Sequence, residues 1–166
     1  MSARTTGPMI RPATAEDGPA LTLIDIATWS PRISPGPPCR EDADFFGPRV
    51  AVADVLVAEA DGRVAGWIRL TQVFPLESAA RTQEIGGLAV DPAMQGRGIG
   101  RALVEGAREL ALARKARKLT LRVLGTNDHA MALYQSAGYE PEGVLKGLFF
   151  LDGQYVDDVL MSLDLR

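Results

Sequence analysis

Apolar and polar positions change rhythm several times along this chain, and each change marks an element. Met9 to Arg11 reads as a short strand closed by Pro12. Thr14 then stands as an N-cap with Asp17 at the capping-box position, and Leu21, Ile24 and Ala27 recur behind it as the buried face of a helix. Asp54 to Ala60 alternates and β-branches like a strand, Asp61-Gly62 predicts a hairpin, and Arg63 to Val73 is the returning strand. Thr82 to Val90 is another strand. Arg101 to Arg117 is strongly helical, Lys118 to Leu124 is a buried strand, and Asp128 to Ala137 is a helix stopped by Gly138. Tyr139 to Leu151 and Tyr155 to Leu163 form a last hairpin around Asp152-Gly153.

Between the first helix and the second strand the rhythm breaks down. Trp29 to Arg40 carries Pro31, Pro35, Pro37 and Pro38, which excludes a regular helix or a central strand. A short acidic helix from Glu41 to Phe46 is expected after it. No repeat and no domain boundary interrupts the rest, so residues 9–166 are expected to form one domain behind a flexible tail of residues 1–8. That tail lacks the apolar core of a signal peptide. The order predicts an α/β (α+β) fold built on a single mixed sheet with helices on both faces. Gly86 and Gly87 are out of place inside a strand and mark either a bulge or close packing against a bulky neighbour, the bulge being preferred because the pair precedes a turn of special composition.

Composition narrows the chemistry. A net charge of −3 gives no global electrostatic case for nucleic acid. The cluster Arg114-Lys115-Ala116-Arg117-Lys118 sits where cations complement a helix C-terminus, and is read as that rather than as a polyanion patch. Cys39 is the single cysteine, so neither an intramolecular disulfide nor a cysteine zinc site can form. His129 is the single histidine, which argues against a His-rich metal site or a Ser-His-Asp triad; no metal is expected. No apolar run reaches membrane-spanning length, and the cytoplasm is the expected location.

The special turn is Gln95-Gly96-Arg97-Gly98-Ile99-Gly100, between a strand and a helix. Three glycines at alternate positions leave successive backbone N–H groups free to face one concavity, and the helix dipole favours an anion there. A P-loop string is absent. A dinucleotide fingerprint fails on spacing, and no carboxylate stands near Leu119 to Leu124 to hold a ribose. A phosphorylated ligand of another kind is expected.

The pattern Q-x-x-G-x-G resembles the acetyl-CoA pyrophosphate loop of the GNAT superfamily of N-acetyltransferases. Asn127-x-x-Ala130-x-x-Leu133-Tyr134-x-x-x-Gly138-Tyr139 is similar to that family's second cofactor segment, and Ile10-Arg11-Pro12-Ala13-Thr14-x-x-Asp17 to its opening strand and helix. The three blocks come in the family's order and span nearly the whole chain. The closing block, Gly138 to Lys146 with Asp152 to Asp157, looks like that of bacterial members acting on free amino acids, and of relatives acting on polyamines or ribosomal-protein N-termini.

The resemblance implies a mostly antiparallel sheet with a central splay after Lys118 that admits the pantetheine arm. It implies acetyl-CoA as cofactor, held by Leu88, Ala89 and Val90, by Gln95, Gly96, Arg97, Gly98, Ile99, Gly100 and Arg101, and by Asn127 and Tyr134. Glu84 matches a catalytic base that neutralises the amine, directly or through water; an ordinary strand-end glutamate is the plain alternative. Tyr134 matches an acid near the leaving sulfur, against a packing role. Trp29, Ile33, Glu84 and Phe45 are the expected acceptor contacts, with Arg32 and Arg40 as carboxylate partners. Cys39 has no evident base, so direct transfer in a ternary complex is expected rather than an acyl-cysteine. The acceptor is expected to be a small-molecule primary amine such as an amino acid. A protein N-terminus or lysine, and a non-catalytic acetyl-CoA sensor, stay open. A homodimer is implied, without nucleic-acid or membrane partners.

Overall fold

The computed structural model describes residues 7–166; most of the expected tail, residues 1–6, lies outside the described residues. Ten main elements follow one another: β1 (Met9–Pro12), α1 (Gly18–Thr28), β2 (Val55–Ala60), β3 (Arg63–Gln72), β4 (Thr82–Val90), α2 (Ile99–Ala113), β5 (Lys118–Leu124), α3 (Asp128–Ser136), β6 (Glu140–Leu151) and β7 (Gln154–Asp164). They build one seven-stranded sheet in the order β1-β2-β3-β4-β5-β7-β6. Every neighbouring pair is antiparallel except β4–β5, which α2 connects as a crossover.

Both expected hairpins form on paired left-handed residues. Asp61 and Gly62 have φ of 52° and 74°, and Asp152 and Gly153 have 51° and 76°, the signs a two-residue turn needs to match strand twist. The helices part at the sheet. Alternation along β2 sends Leu56 and Ala58 to the α2 side and Val55 and Val57 to the α1 side. On the α2 side Leu103, Val104 and Ala107 pack on Ile68, Leu70, Ile85, Leu119 and Leu121. On the other, Leu21 and Ile24 pack with Trp67 and Ala89. Each fully buried leucine contributes about 1.5–3 kcal/mol by leaving water.

Several local expectations need correction. The first helix opens as a single tight turn, Ala15–Asp17, with Asp17 Oδ2 accepting the Thr14 N–H at 2.7 Å, and Ala27 is exposed because the packed stripe runs through Leu21, Thr22 and Ile24. Glu41 to Phe46 forms turns, not a helix: Asp44 Oδ1 accepts the Phe46 N–H at 3.1 Å, a local bond that competes with helical pairing. The long helix begins at Ile99 and ends at Ala113, since Lys115 turns left-handed at φ 61°. Two of the four cations in the basic cluster beyond it are engaged: Arg114 pairs with Asp54, and Lys118 with Glu142. Among the described residues no helix is long and apolar enough to cross a membrane.

Candidate active site

The sheet opens in the middle. β4 and β5 pair only from Thr82↔Lys118 to Ile85↔Leu121, and then separate, so the splay begins three residues later than expected. Its cause is the glycine pair. Arg69 faces Gly87 while Leu70 faces Ile85, which makes Gly86 the extra residue of a bulge. Both readings of the pair hold, because a Cβ on Gly86 would lie 2.8 Å from Arg69 Nη2, and one on Gly87 would lie 2.7 Å from Trp67 Cη2. The bulge also resets the alternation of β4. Glu84 before it and Gly87 and Ala89 after it thereby share the α1 face.

Register decides which backbone groups the gap receives. The Asp91 N–H donates to the Ala65 carbonyl at 2.8 Å, so Ala89 opposite Trp67, two residues back, is a position bonded to β3. Leu88 and Val90 therefore turn their N–H and C=O groups away from β3, into the splay. Gln95 Nε2 donates to the Val90 carbonyl at 3.4 Å. Ala89, whose backbone is bonded to β3, offers a buried methyl to the wall.

The glycine turn follows directly. Gly96 and Gly98 have φ of 78° and 77°, where a Cβ meets steric strain although nothing stands nearby. Gly98 is the N-cap of α2, and the first helical bond runs from the Ala102 N–H to its carbonyl at 3.0 Å. The N–H groups of Ile99, Gly100 and Arg101 thus have no helical partner and suit a pyrophosphate. Gly100 serves packing instead, its absent Cβ lying 3.3 Å from Leu133 of α3. The Arg97 guanidinium is turned to Asp61 of the β2–β3 turn, which it clasps at 2.7 and 3.0 Å. The Arg101 guanidinium bonds Ser136 Oγ at 3.2 Å and Glu105 at 3.3 Å.

Beside the splay lies a cavity of about 480 Å³. It brings together Trp29, Ile33, Glu84, Leu88, Ala89, Asn127 and Tyr134 among the residues singled out from sequence. Its rim is the proline-rich segment, fastened where Trp29 Nε1–H donates to the Gly36 carbonyl at 3.0 Å and Thr126 Oγ1–H to the Arg32 carbonyl at 2.8 Å. Phe45 is not part of it: its ring packs edge-on against Trp67, with centroids 5.0 Å apart, so it supports the wall from behind. Arg32 and Arg40 do not line it either, and Arg40 holds Asp42 at 2.8 Å. His129 is exposed on the first turn of α3.

Besides Cys39, whose thiol is pushed up chiefly by burial, three titratable groups line the cavity with shifted character. Burial raises the Glu84 pKa above the usual carboxylate value, the Arg122 and Arg69 charges oppose that, and Asp158 adds to it. Burial alone raises Tyr134, keeping its phenol protonated. The Tyr134 ring stacks edge-on to Tyr139 at 5.6 Å. Its hydroxyl is not among the sealed, unpartnered polar atoms, whereas the Tyr139 hydroxyl is. Asn127 caps α3, its Oδ1 accepting the Ala130 N–H at 3.2 Å, which leaves its amide N–H₂ for a ligand.

The third group, Asp25, was missed from sequence. Burial pushes it up to about 6, against the opposing effects of a hydrogen bond from Trp67 and the Arg69 charge. Its signal was present: it stands one helical turn after Leu21, on the stripe that packs inward. Trp67, Arg122 and Cys39 also line the cavity. Arg122 Nε–H donates to the buried Asp158 at 2.6 Å. No cluster of metal-ligating side chains occurs among the described residues.

Unpaired N–H groups at a helix N-terminus thus stand next to a split sheet, with a carboxyl and a phenol on the cavity beside it. Comparison specifies the class. A model described as the acetyltransferase (GNAT) family matches residues 22–139, and the chain belongs to that family. It is 29% identical over 165 residues to the phosphinothricin N-acetyltransferase of Alcaligenes faecalis, covering 95% of this chain and 82% of that one. A 65-residue stretch, 39% of this chain, is 46% identical to the mycothiol acetyltransferase of Beutenbergia cavernae, of which it spans 22%. The fold superposes on yncA from Salmonella typhimurium, solved with acetyl-CoA, with a TM-score of 0.81 at 22% identity, covering 97% of this chain and 95% of that one.

Proposed function

We propose that this protein is an acetyl-CoA-dependent N-acetyltransferase that acetylates a primary amine of a small molecule, an amino acid being one acceptor that fits, by direct transfer in a ternary complex. The observation that carries the reading is the convergence of Glu84, Tyr134 and Leu88, whose backbone faces the splay, on one cavity. The glycine turn and the free N–H groups of α2 fit the pyrophosphate of CoA, and the exposed edge of β4 fits its amide-bearing arm. When bound, acetyl-CoA supplies an activated acetyl thioester.

The chain's residues do the rest. Glu84 accepts the proton of the bound ammonium, and its raised pKa brings it closer to that of the amine than an exposed carboxylate would be. A splay-facing N–H polarises the acyl oxygen, worth on the order of 3 kcal/mol of barrier. Tyr134 gives its proton to the departing sulfur, and the proton that the nitrogen loses as the amide forms restores the phenol. The fastened rim around Trp29 and Ile33 favours a small acceptor over a peptide, which needs an open groove.

A cytoplasmic homodimer completes the proposal, supported by exposed Leu145, Leu148, Phe150 and Tyr155 on β6 and β7; size-exclusion chromatography tests the assembly. The activity is tested by thiol release from acetyl-CoA with free amino acids, polyamines, aminoglycosides and N-terminal peptides. Release with one small-amine class is expected. Release with peptides only transfers the assignment to a protein acetyltransferase, and cofactor binding without turnover on any amine favours a sensor.

A further inference from the structure

We propose that Asp25 is the anchor for the acceptor's cationic nitrogen, a second cavity carboxylate beside Glu84, held in place by Trp67. This rests on the amine-acceptor reading above. α1 packs on β3 and β4 through Leu21 and Ile24, and that packing carries Asp25 into the cavity wall. Trp67 Nε1–H donates to Asp25 Oδ1 at 3.0 Å. The indole itself is fixed between Phe45 and the bare backbone of Gly87, so packing aims its N–H at Asp25.

The other oxygen is available. Asp25 Oδ2 has no hydrogen-bond partner among the described residues, yet it is absent from their sealed unpartnered atoms, which are Arg69 Nε and Tyr139 Oη. It therefore opens into the cavity. The groups facing Asp25 are Arg69 from β3, with Cys39 in the rim segment, Glu84 from β4 and Arg122 from β5 on the same cavity. Arg69 makes no ion pair among the described residues, and Arg122 is engaged by Asp158, so neither cation neutralises Asp25 by contact. A desolvated carboxylate with one satisfied and one open oxygen is a site for an ammonium group.

A merely structural Asp25 would serve only to hold the Trp67 N–H, and asparagine does that equally well. Asp25→Asn thus removes the charge and keeps the acceptor oxygen. The sign with pH follows from a pKa pushed up to about 6: the anchor is charged above that value and is lost as pH falls through it.

The test uses the unaltered apo protein, whose two tryptophans, Trp29 and Trp67, both line the cavity. Its fluorescence is titrated with butylammonium chloride, and with 1-butanol and sodium chloride as controls. Saturable binding of butylammonium alone is expected at neutral pH. It should weaken about tenfold or more in Asp25→Asn, and likewise in the parent at about pH 5, with Asp25→Glu recovering part of it. For any amine that turns over, Asp25→Asn should raise the amine KM by a similar factor while the acetyl-CoA KM and the melting temperature hold. The absence of saturable butylammonium binding, equal binding of butanol, or unchanged affinity in Asp25→Asn overturns the proposal. Intact butylammonium binding without thiol release on any amine counts against acetyl transfer and leaves the anchor standing.

Discussion

Replacing Tyr134 by phenylalanine deletes one oxygen from α3 and leaves the ring in place against Tyr139, 5.6 Å away between centroids. Burial is the single cause of the raised phenol pKa, with no hydrogen bond contributing, so the substitution orphans no partner. The expected change in stability is accordingly under about 1 kcal/mol. Catalysis should respond very differently. A positioned general acid contributes about a hundredfold to ten-thousandfold, or roughly 3–5 kcal/mol of barrier. Because the phenol stays protonated through the neutral range, the loss should be the same at every assay pH there. The measurement is kcat from initial rates of thiol release at saturating acetyl-CoA, beside a thermal melt of each protein. A kcat within about twofold of the parent would refute the acid role, since general acid catalysis cannot be that small when proton transfer to the leaving group is needed. A kcat loss accompanied by a large drop in melting temperature would equally refute it, in favour of packing.

Three further expectations concern separate parts of the molecule. In Glu84→Gln, kcat should fall by about a hundredfold or more; in the parent it should decline as pH drops through the raised carboxylate pKa, with that limb missing from the variant, as a pH–rate profile would show. Gly98→Ala places a side chain at φ 77°, costing roughly 1–2 kcal/mol of left-handed strain, and should weaken acetyl-CoA binding about tenfold by calorimetry. Asp17 is bonded by Arg11 at 2.8 and 2.9 Å, which holds its pKa below the usual value. Its stabilisation is therefore present above the unfolded pKa and lost as pH falls through the folded one. Asp17→Asn should cost about 1.5–3 kcal/mol at neutral pH by denaturant titration, with the difference vanishing in acid.

Much of this architecture was legible because local chemistry dictated it. Asp61-Gly62 and Asp152-Gly153 tolerate left-handed φ, so two hairpins followed from dipeptides alone. Gly96 and Gly98 were legible because their left-handed φ answers to local backbone geometry, whereas Gly100 is bare because Leu133 of α3 lies against it. The bounds of β4 and β5 were also as expected. What escaped depended on tertiary packing. Ala27 fits the helical period of α1, yet the helix lies across the sheet so that Thr22 is covered and Ala27 is left in solvent. Asp25 sat one turn beyond Leu21, but only the arrival of Trp67 beneath it shows why a half-buried carboxylate stands there. Phe45 had the aromatic character of a ligand contact and instead buttresses Trp67. Glu84 and Ala89 came to share a face through an extra residue at Gly86, a shift of register that alternation on one strand cannot reveal.

The most direct test is a single turnover with acetyl-CoA carrying a radiolabelled acetyl group, mixed with protein in excess and the amine that supports thiol release. Direct transfer in the cavity requires the label to appear on the amine as fast as free thiol appears, with none on the protein at any time. Label held on the protein before it reaches the amine, at Cys39 or elsewhere, or thiol release with no labelled amine, would contradict it.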